Sequence, residues 1–317
     1  MAHRRPAEVH GIVCVDKPLG WTSRDVVNKL THLMGERRAG HAGTLDPDAS
    51  GVLVVAFGEA TKSLRWLMDA PKTYETTVRF GTATATDDAS GPVVRSAPLP
   101  QPWTFEAVLA ALPQPGVLNQ VPPAVSALQR GGVRDHVRVR RGEVVERPPR
   151  EVQLQSIELL GLEGPHSAQV RLTCGAGFYV RSLARDLGES LGSAAHVVTL
   201  RRVSASGFAV ADGVSMDTLK AETQEERLEH LLSVVTVLGR VLPIVRVDAA
   251  MAAGLRQGKT PLLPDGAMAE AGEVARPAEV LVLDGEGAPV CVAMAAAGEP
   301  VRLQVVRGFV AGQTLNP

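Results

Sequence analysis

The chain has 317 residues, of which 45% are hydrophobic and 21% charged, a composition typical of a globular protein large enough for two domains. A formal net charge of −1 excludes a strong overall field for nucleic acid, and no stretch approaches about 18 consecutive apolar residues, which disfavours a membrane span. Cys14, Cys174 and Cys291 have neither metal-ligand nor disulfide spacing, and the N-terminus lacks the apolar core of a signal peptide, so we expect a reduced, cytoplasmic protein.

The first third of the chain alternates between apolar runs and segments with helical spacing. Thr22 or Ser23 is a suitable N-cap for a helix whose apolar residues recur every three or four positions. A polar, turn-like stretch follows at Thr82–Gly91. The elements predicted here are strands at Gly11–Val15, Val52–Phe57 and Tyr74–Phe80, a helix that follows the cap at Thr22 or Ser23 with apolar positions from Val26 to Met34, and a helix at about Ala60–Met68.

The middle of the chain contains a basic segment, 120–152, that has no clean periodicity. Seven arginines and three acids lie between Arg130 and Arg150, and Pro-Pro pairs bracket the segment. This composition predicts a protruding, adaptable element that contacts phosphates, since arginine suits planar phosphate recognition. Smaller arginine pairs, such as Arg201-Arg202, are typical of a solvated surface. The regular elements predicted around it are helices at Phe105–Leu112, Val180–Leu191 and Leu228–Leu238, and a strand at Ala168–Cys174.

The pattern changes after Pro243, where short strands and turns replace helices. Asp284-Gly285-Glu286-Gly287 is a good hairpin turn between two of the strands. We therefore predict an α+β domain at 1–240 and a small all-β barrel at 241–317. The strands predicted in the second domain are Ile244–Val247, Val280–Asp284, Val290–Met294 and Val301–Val306.

The loop Gly40–Gly51 is the strongest candidate for a functional element. It combines three glycines between 40 and 51 with a histidine and two acids, and a buried strand is predicted directly after it. Pro47 biases Asp46 toward an extended conformation, which places a short acid on a stiff loop at a sheet edge. The same composition is also typical of an ordinary turn, and the loop alone does not separate these interpretations.

Four further polar residues lie where a sheet exposes side chains to a ligand. Tyr74 opens a strand, Lys17 ends one, and Tyr179 and Arg181 lie at a glycine-rich turn into a helix. Each also has a purely structural explanation as a half-buried aromatic or a surface charge. The chain has no Walker loop, dinucleotide fingerprint, zinc spacing or nucleophile elbow. We therefore expect chemistry without metal or cofactor.

Several separated motifs resemble, in the same order, those of the TruB type of bacterial tRNA pseudouridine synthases. The run Gly40-His41-Ala42-Gly43-Thr44-Leu45-Asp46-Pro47 resembles the family's signature most closely. Less specific similarity links the C-terminal part to the small RNA-binding PUA domain. The other matching motifs are Asp16-Lys17-Pro18, Gly58–Lys62, Lys72-Thr73-Tyr74, Gly175–Arg181 and His196–Arg202.

The resemblance implies that the protein converts one uridine in the T-loop of tRNA, at position 55, to pseudouridine. It implies a mixed, mainly antiparallel sheet flanked by helices, with Asp46 as the catalytic aspartate, Tyr74 packed on the target base, and Arg181 paired with Asp46. It also implies that His41 helps to fill the space left by the flipped nucleotide. The other implied substrate contacts are Lys17, Gly43, Tyr179 and Leu200.

Physical chemistry supports these implied roles. An arginine beside Asp46 would lower the pKa of its carboxyl by roughly 1–3 units. Extruding a base costs a few kcal/mol, and stacking on Tyr74 offsets roughly 1–3 kcal/mol of this cost. Whether Asp46 attacks C6, attacks C1′ or assists elimination stays open.

The chain also departs from the family pattern in presumed RNA-contacting loops. The departures are Ala85, Val125, Gln129 and His136, where the family has an acid, Tyr, Lys and Tyr respectively. Two alternatives remain: an RNA-binding protein or tRNA-folding chaperone without catalysis, and the same isomerase acting on another RNA. No apolar surface pattern demands a dimer, and we expect a monomer.

Overall fold

The computed structural model describes residues 9–124, 147–263, 277–296 and 300–310, and the backbone of 129–130 and 133–134. Most of the basic segment 120–152, including Val125 and His136, lies outside the described residues, so its predicted protrusion stays a prediction. Within these ranges the strands are β1 Gly11–Lys17, β2 Ala39–His41, β3 Ala49–Phe57, β4 Lys72–Phe80, β5 Thr82–Thr84, β6 Val93–Ser96, β7 Gly116–Gln120, β8 Gln129–Arg130, β9 Val133–Arg134, β10 Arg150–Glu163, β11 Ser167–Cys174, β12 Ala195–Ala205, β13 Phe208–Ala209, β14 Val214–Ser215, β15 Ile244–Arg246, β16 Ala278–Leu283, β17 Pro289–Ala295 and β18 Leu303–Gly308.

Ten of these strands form one large sheet, in the order β14-β1-β3-β12-β4-β11-β10-β7, with β2 beside β3 and β13 beside β12. The pairs β1–β14 and β3–β12 are parallel and the others are antiparallel. This confirms the predicted mixed, mainly antiparallel sheet. The sequence pattern does not predict the strands β7, β10 and β12, because their apolar residues are interrupted by polar ones that face solvent or pair within the protein.

The strand β3 lies in the middle of the core and is buried on both faces. Successive side chains of a strand point to opposite faces, so its apolar run fills two separate clusters. Val52 and Val54 pack with Cys14 on one side, whereas Leu53 and Val55 pack on the other side. A loop that leads into this strand is therefore attached to the most buried part of the protein.

The helices flank the large sheet, and the cap of the first one follows from the sequence. Thr22 caps the first helix through a capping box: its Oγ1 accepts from Asp25 N at 3.0 Å, and Asp25 Oδ2 accepts from Thr22 N at 2.9 Å. The described helices are α1 Ser23–Leu33, α2 Leu64–Asp69, α3 Phe105–Ala111, α4 Val180–Ser190, α5 Met216–Ala221, α6 Gln224–Glu229, α7 Val234–Leu238 and α8 Ala249–Arg256, with 3₁₀ turns at Gly58–Ser63 and Val210–Asp212.

The single helix predicted at Leu228–Leu238 is wrong, because the chain forms two helices there. Between them, Leu232 exchanges two backbone hydrogen bonds with Ile12, at 2.9 and 2.8 Å. Ser233 then caps the next helix by accepting from Thr236 N at 3.0 Å. Pairing with the edge of a strand satisfies the backbone N–H and C=O groups that a continuous helix would have paired internally.

The predicted all-β barrel at the C-terminus is also wrong. Across the described residues, β15 to β18 form an open four-stranded sheet, and α8 connects its first two strands. Because β15 runs parallel to β16, the chain needs a crossover connection, and Asp248 caps the helix that provides it. The hairpin between β16 and β17 is confirmed, with Gly287 N donating to Asp284 O at 3.0 Å.

The small sheet packs against the large one through a shared hydrophobic cluster. Leu281, Leu283 and Val292 belong to the same buried cluster as Val52 and Val54. The predicted domain boundary near residue 240 stays a prediction, and the second sheet begins at Ile244. In the described parts of the chain, no helix is long and apolar enough to cross a membrane.

Replacing Gly51 with alanine is expected to destabilise the fold strongly. Gly51 has φ of +106°, and a Cβ there would lie 2.1 Å from the carbonyl oxygen of Arg202 on the neighbouring strand. A side-chain movement can relieve neither the backbone strain nor the clash with a backbone oxygen. We therefore expect the free energy of unfolding, measured in urea, to fall by more than about 3 kcal/mol. The control is Gly192→Ala, where φ is +65° but a Cβ meets open space, with an expected loss of about 1 kcal/mol. Equal losses would contradict the assigned clash.

Candidate active site

The loop that carries Asp46 is held by hydrogen bonds on both sides of this residue. Ser23 is buried, and its Oγ accepts from Leu45 N at 2.8 Å and donates to Leu45 O at 3.1 Å. On the other side, Gly20 N donates to Pro47 O at 2.8 Å. The position of Asp46 is therefore fixed by its two neighbours.

Lys17 lies under this loop and not on a cavity wall, where the resemblance would place it. Its residue surface is fully buried, and its Nζ donates to the carbonyl oxygens of Pro18, Trp21 and Pro47 at 2.9, 2.6 and 3.4 Å. Burial lowers the pKa of the ammonium to about 8, although the nearby Asp46 carboxylate opposes this. These contacts give Lys17 a role in holding the loop beside Asp46.

Asp46 forms one end of a chain of charged groups centred on Arg181. Arg181 Nη2 lies 3.0 Å from Asp46 Oδ2, and its Nη1 lies 3.4 Å from Asp88 Oδ2. The same Nη1 donates to the carbonyl of Thr86 at 2.9 Å. The Arg181 side chain is only 7% exposed, so its guanidinium is locked between the two carboxylates. The ion pair with Asp46 that the resemblance implies is present.

The pKa of Asp46 does not shift in the direction expected from the sequence. Burial raises the pKa of the carboxyl, and the positive charge of Arg181 opposes this but does not reverse it; Asp88 and Asp48 raise it further. The expected lowering by Arg181 is therefore wrong as a net direction. The side chain is still 40% exposed, so solvent screens part of each effect.

Asp46, Asp48, Asp88, Ser90 and Arg181 form the polar side of a cavity of about 310 Å³. Its remaining wall is largely apolar, and Leu19, Val198 and Leu200 contribute to it. Leu19 is 64% exposed, so its side chain is accessible to a ligand in the cavity. A small cavity with an apolar wall and a few convergent charges is typical of a site for a flat, partly polar small group.

Tyr74 lies behind the cavity and is almost completely buried. It belongs to the hydrophobic cluster that contains Leu45 and Val180, the neighbours of Asp46 and Arg181 in the chain. Burial raises the pKa of the Tyr74 phenol, and the charge of Arg202 opposes this. Tyr74 is thus close to the charged groups without forming part of the described cavity wall.

The other predicted contacts, His41, Gly43 and Tyr179, lie outside the described wall of the cavity. His41 ends β2, where it pairs with Val55, and is half-buried. Gly43 has φ of +98°, which favours glycine. Tyr179 precedes α4, and its backbone N and O bond to the amide of Gln120 at 3.0 and 3.3 Å.

The structure adds two residues that the sequence analysis did not single out. Asp88 lies in the predicted polar turn 82–91. The two adjacent acids there indicate a charged site, but the sequence does not show which basic residue contacts them. Arg202 was interpreted with Arg201 as a surface pair, but Arg202 is fully buried. The strand β12 explains the difference, because neighbouring residues of a strand face opposite sides of the sheet. In the described residues, no group of three or more His, Cys, Asp or Glu side chains could hold a metal ion.

The chain is similar in sequence to proteins of a known family. Residues 31–180 match the TruB family pseudouridylate synthase (N terminal domain), and residues 181–242 match the tRNA pseudouridylate synthase B C-terminal domain. A protein of Paracoccus denitrificans (strain Pd 1222) named tRNA pseudouridine synthase B is 48% identical over 227 residues, 71% of this chain and 75% of the relative. A protein of the same name from Cereibacter sphaeroides (strain ATCC 17025 / ATH 2.4.3) is 40% identical over 298 residues, 93% of this chain and 96% of the relative.

The fold is similar to that of a solved structure described as a Cbf5-Nop10-Gar1 complex. The TM-score is 0.72 at 24% sequence identity, covering 95% of this chain and 85% of that one, so the similarity concerns the fold alone. The family matches together span residues 31–242, and both relatives cover more than two thirds of the chain. The chain therefore belongs to the TruB family of pseudouridylate synthases.

Proposed function

We propose that this protein isomerises a uridine of tRNA to pseudouridine, that the target is position 55 in the T-loop, and that Asp46 is the catalytic carboxylate. The observation that carries the proposal is the pairing of Asp46 with Arg181 at a cavity for one small flat group, in a chain of this family. The relatives are named tRNA pseudouridine synthase B, which supports tRNA as the substrate class.

The reaction breaks the N1–C1′ bond of uridine, forms a C5–C1′ bond, releases the C5 proton and adds a proton at N1. Asp46 can attack C6, attack C1′ or assist elimination, and each route requires its ionised form. Arg181 supports all three routes, because its charge favours the carboxylate over the protonated acid. Because the Arg181 guanidinium contacts both Asp46 and Asp88, it also fixes the direction in which the Asp46 oxygens point.

The target base reaches the cavity only after it leaves its stack, at a cost of a few kcal/mol. Leu19, Val198 and Leu200 offer an apolar wall against which the extruded base packs. Tyr74 packs on the base from below, and His41, at the start of the loop, helps to fill the vacated space in the RNA. Because Tyr74 is buried in the free protein and lies outside the described cavity wall, its contact with the base requires the cavity to open toward Tyr74.

The basic segment 120–152 and the C-terminal sheet are proposed to bind the rest of the tRNA. The acids in the remainder of the chain balance these arginines, so the net charge of −1 does not exclude a local phosphate-binding surface. The segment is anchored next to the site, where Ser182 Oγ donates to Val121 O at 2.8 Å and Arg147 Nη1 donates to Pro122 O at 3.1 Å. We propose a cytoplasmic monomer that needs no cofactor.

The decisive experiment is to map pseudouridine by cyanoethylation and mass spectrometry after incubation with unmodified tRNA and ribosomal RNA. Modification at uridine 55 of tRNA alone supports the proposal. Modification of ribosomal RNA alone would assign the same chemistry to another substrate. Tight binding of tRNA without any modification would favour a non-catalytic RNA-binding protein or folding chaperone.

The rate is expected to depend on pH through Asp46. The ionised Asp46 carboxylate is the active form, and burial raises the pKa of this carboxyl. On acidification the rate should therefore fall at a pH above the ordinary aspartate pKa of about 3.9. Single-turnover rates measured from neutral to acidic pH give the midpoint, and circular dichroism shows where the protein stays folded. Asp48→Asn removes a nearby negative charge and should move the midpoint to lower pH. An acid limb at or below about pH 4 would contradict the raised pKa.

A further inference from the structure

Arg202 is an unusual residue in the core of the large sheet. It is fully buried, and in the described part of the chain no carboxylate forms an ion pair with it. Its Nε donates to the carbonyl of Val52 at 2.7 Å and its Nη2 donates to the carbonyl of Gly43 at 3.1 Å. The remaining nitrogen, Nη1, is buried and has no hydrogen-bond acceptor. Arginine stays protonated in proteins, so this arrangement keeps a positive charge in the core at a considerable desolvation cost.

The position of this charge relative to Tyr74 follows from the sheet register. Arg202 on β12 is the direct partner of Tyr74 on β4, so both side chains lie on the same face, with Cβ atoms roughly 5 Å apart. On the other side, Nη1 lies 3.5 Å from where a Cβ on Gly43 would be. The guanidinium therefore lies between the Tyr74 side chain and the loop that carries Asp46.

We propose that Arg202 is a positioning residue for Tyr74, holding the Asp46 loop through Gly43 and placing a permanent positive charge beside the Tyr74 phenol. The inference rests on the proposed function, in which Tyr74 acts on the target base. It explains why the core keeps an arginine: the charge stabilises a phenolate in buried, low-dielectric surroundings.

The chemistry that this arrangement serves is the removal of the C5 proton. The Tyr74 phenol first loses its own proton to water, and the phenolate oxygen then accepts the proton from C5 and becomes a neutral phenol. The electron pair of the C5–H bond returns to the uracil ring. Without a nearby cation, a buried phenol would be deprotonated only at very high pH.

Several other groups lie near Tyr74, and each either raises its pKa or is neutral in the alkaline range where a phenol titrates. Burial raises the pKa of Tyr74 most, Arg202 lowers it, and Cys174 and Asp46 raise it. The Cys174 thiol has a pKa of about 12 and is protonated below that value. Lys72 lies two residues before Tyr74, donates to Met68 O and Ala70 O, and has a pKa of about 8.

The sequence makes a direct test feasible, because the chain has only two tyrosines. In a Tyr179→Phe background, the near-ultraviolet absorbance of phenolate reports Tyr74 alone. We expect Arg202→Met to move the Tyr74 midpoint upward by at least about one pH unit, and Arg202→Lys to move it by less. The control Lys72→Met removes a buried amine that is neutral well above its pKa of about 8, where a phenol titrates. It should leave the Tyr74 midpoint unchanged. This measurement needs no RNA, so its outcome is independent of the proposed function.

A second readout concerns the step itself. With tRNA deuterated at C5 of uridine, the isotope effect on the single-turnover rate should grow in the Arg202 variants, because C5–H cleavage becomes slower relative to other steps. If Arg202→Met does not fold, Arg202→Gln, which also removes the charge, carries both measurements. A Tyr74 midpoint that moves by less than about 0.3 pH unit in every folded variant would overturn the proposal. A slower rate with an unchanged isotope effect would likewise show a purely structural role.

Discussion

Asp46→Asn is expected to reduce tritium release from C5-labelled uridine in a T-loop RNA by at least about 10³-fold. Asparagine keeps the shape of the side chain but cannot ionise, so it cannot attack C6 or C1′ or assist elimination. The loop stays anchored, because Ser23 and Gly20 bond to the neighbours of Asp46 and not to its carboxyl. RNA affinity, measured by filter binding, should therefore change little.

The stability of the same variant provides an independent check. Burial raises the pKa of Asp46, so its contribution to stability is largest below the unfolded pKa and is lost as pH rises through the folded pKa. At neutral pH the charged form therefore costs stability, and the asparagine variant should unfold at the same or a higher temperature.

The matched control for this variant is Asp48→Asn, which changes the other acid of the loop. Asp48 is exposed and two residues away, and we expect less than a tenfold loss. Substantial turnover by Asp46→Asn would refute the catalytic assignment. Equal losses in the two variants would show that the charge of the loop matters and not the identity of Asp46.

Arg181→Lys is expected to lower the single-turnover rate by about 10²-fold or more. The guanidinium reaches Asp46 with one nitrogen and Asp88 and the Thr86 carbonyl with the other. A lysine places its charge on a single ammonium nitrogen and cannot hold both carboxylates in the same geometry. The loss should appear in the rate at saturating RNA, with little change in affinity.

Arg185 is the natural control, since it lies one helical turn further along α4. It pairs with Asp87 at 3.0 Å and donates to Val121 O at 2.9 Å, without touching Asp46. Arg185→Lys should therefore cost less than tenfold, and circular dichroism should show that both variants are folded. Near wild-type turnover by Arg181→Lys would mean that the contact with Asp46 is not needed for catalysis.

Local sequence patterns were sufficient where neighbouring residues decide the structure. The capping pattern Thr22–Asp25, the apolar run after the loop and the hairpin at Asp284–Gly287 each depend on a few adjacent residues, and all three are present. Local patterns were insufficient where a segment far away in the chain pairs with the backbone and so changes the local structure. Leu232 pairs with Ile12 and so interrupts a helix whose spacing looked continuous. The parallel pairing of β15 with β16 leaves an open sheet with a helix in place of a barrel.

The sequence alone determined the family and selected Asp46, Tyr74 and Arg181, because a motif keeps the order and spacing of residues that chemistry requires. Only the tertiary structure decided what surrounds them. It brought Asp88 to Arg181, buried Lys17 under the loop, and placed the charge of Arg202 beside Tyr74. It also reversed the expected pKa shift of Asp46. The physical reason is that burial and electrostatic neighbours depend on distances in space between segments far apart in the chain, which spacing along the sequence does not encode.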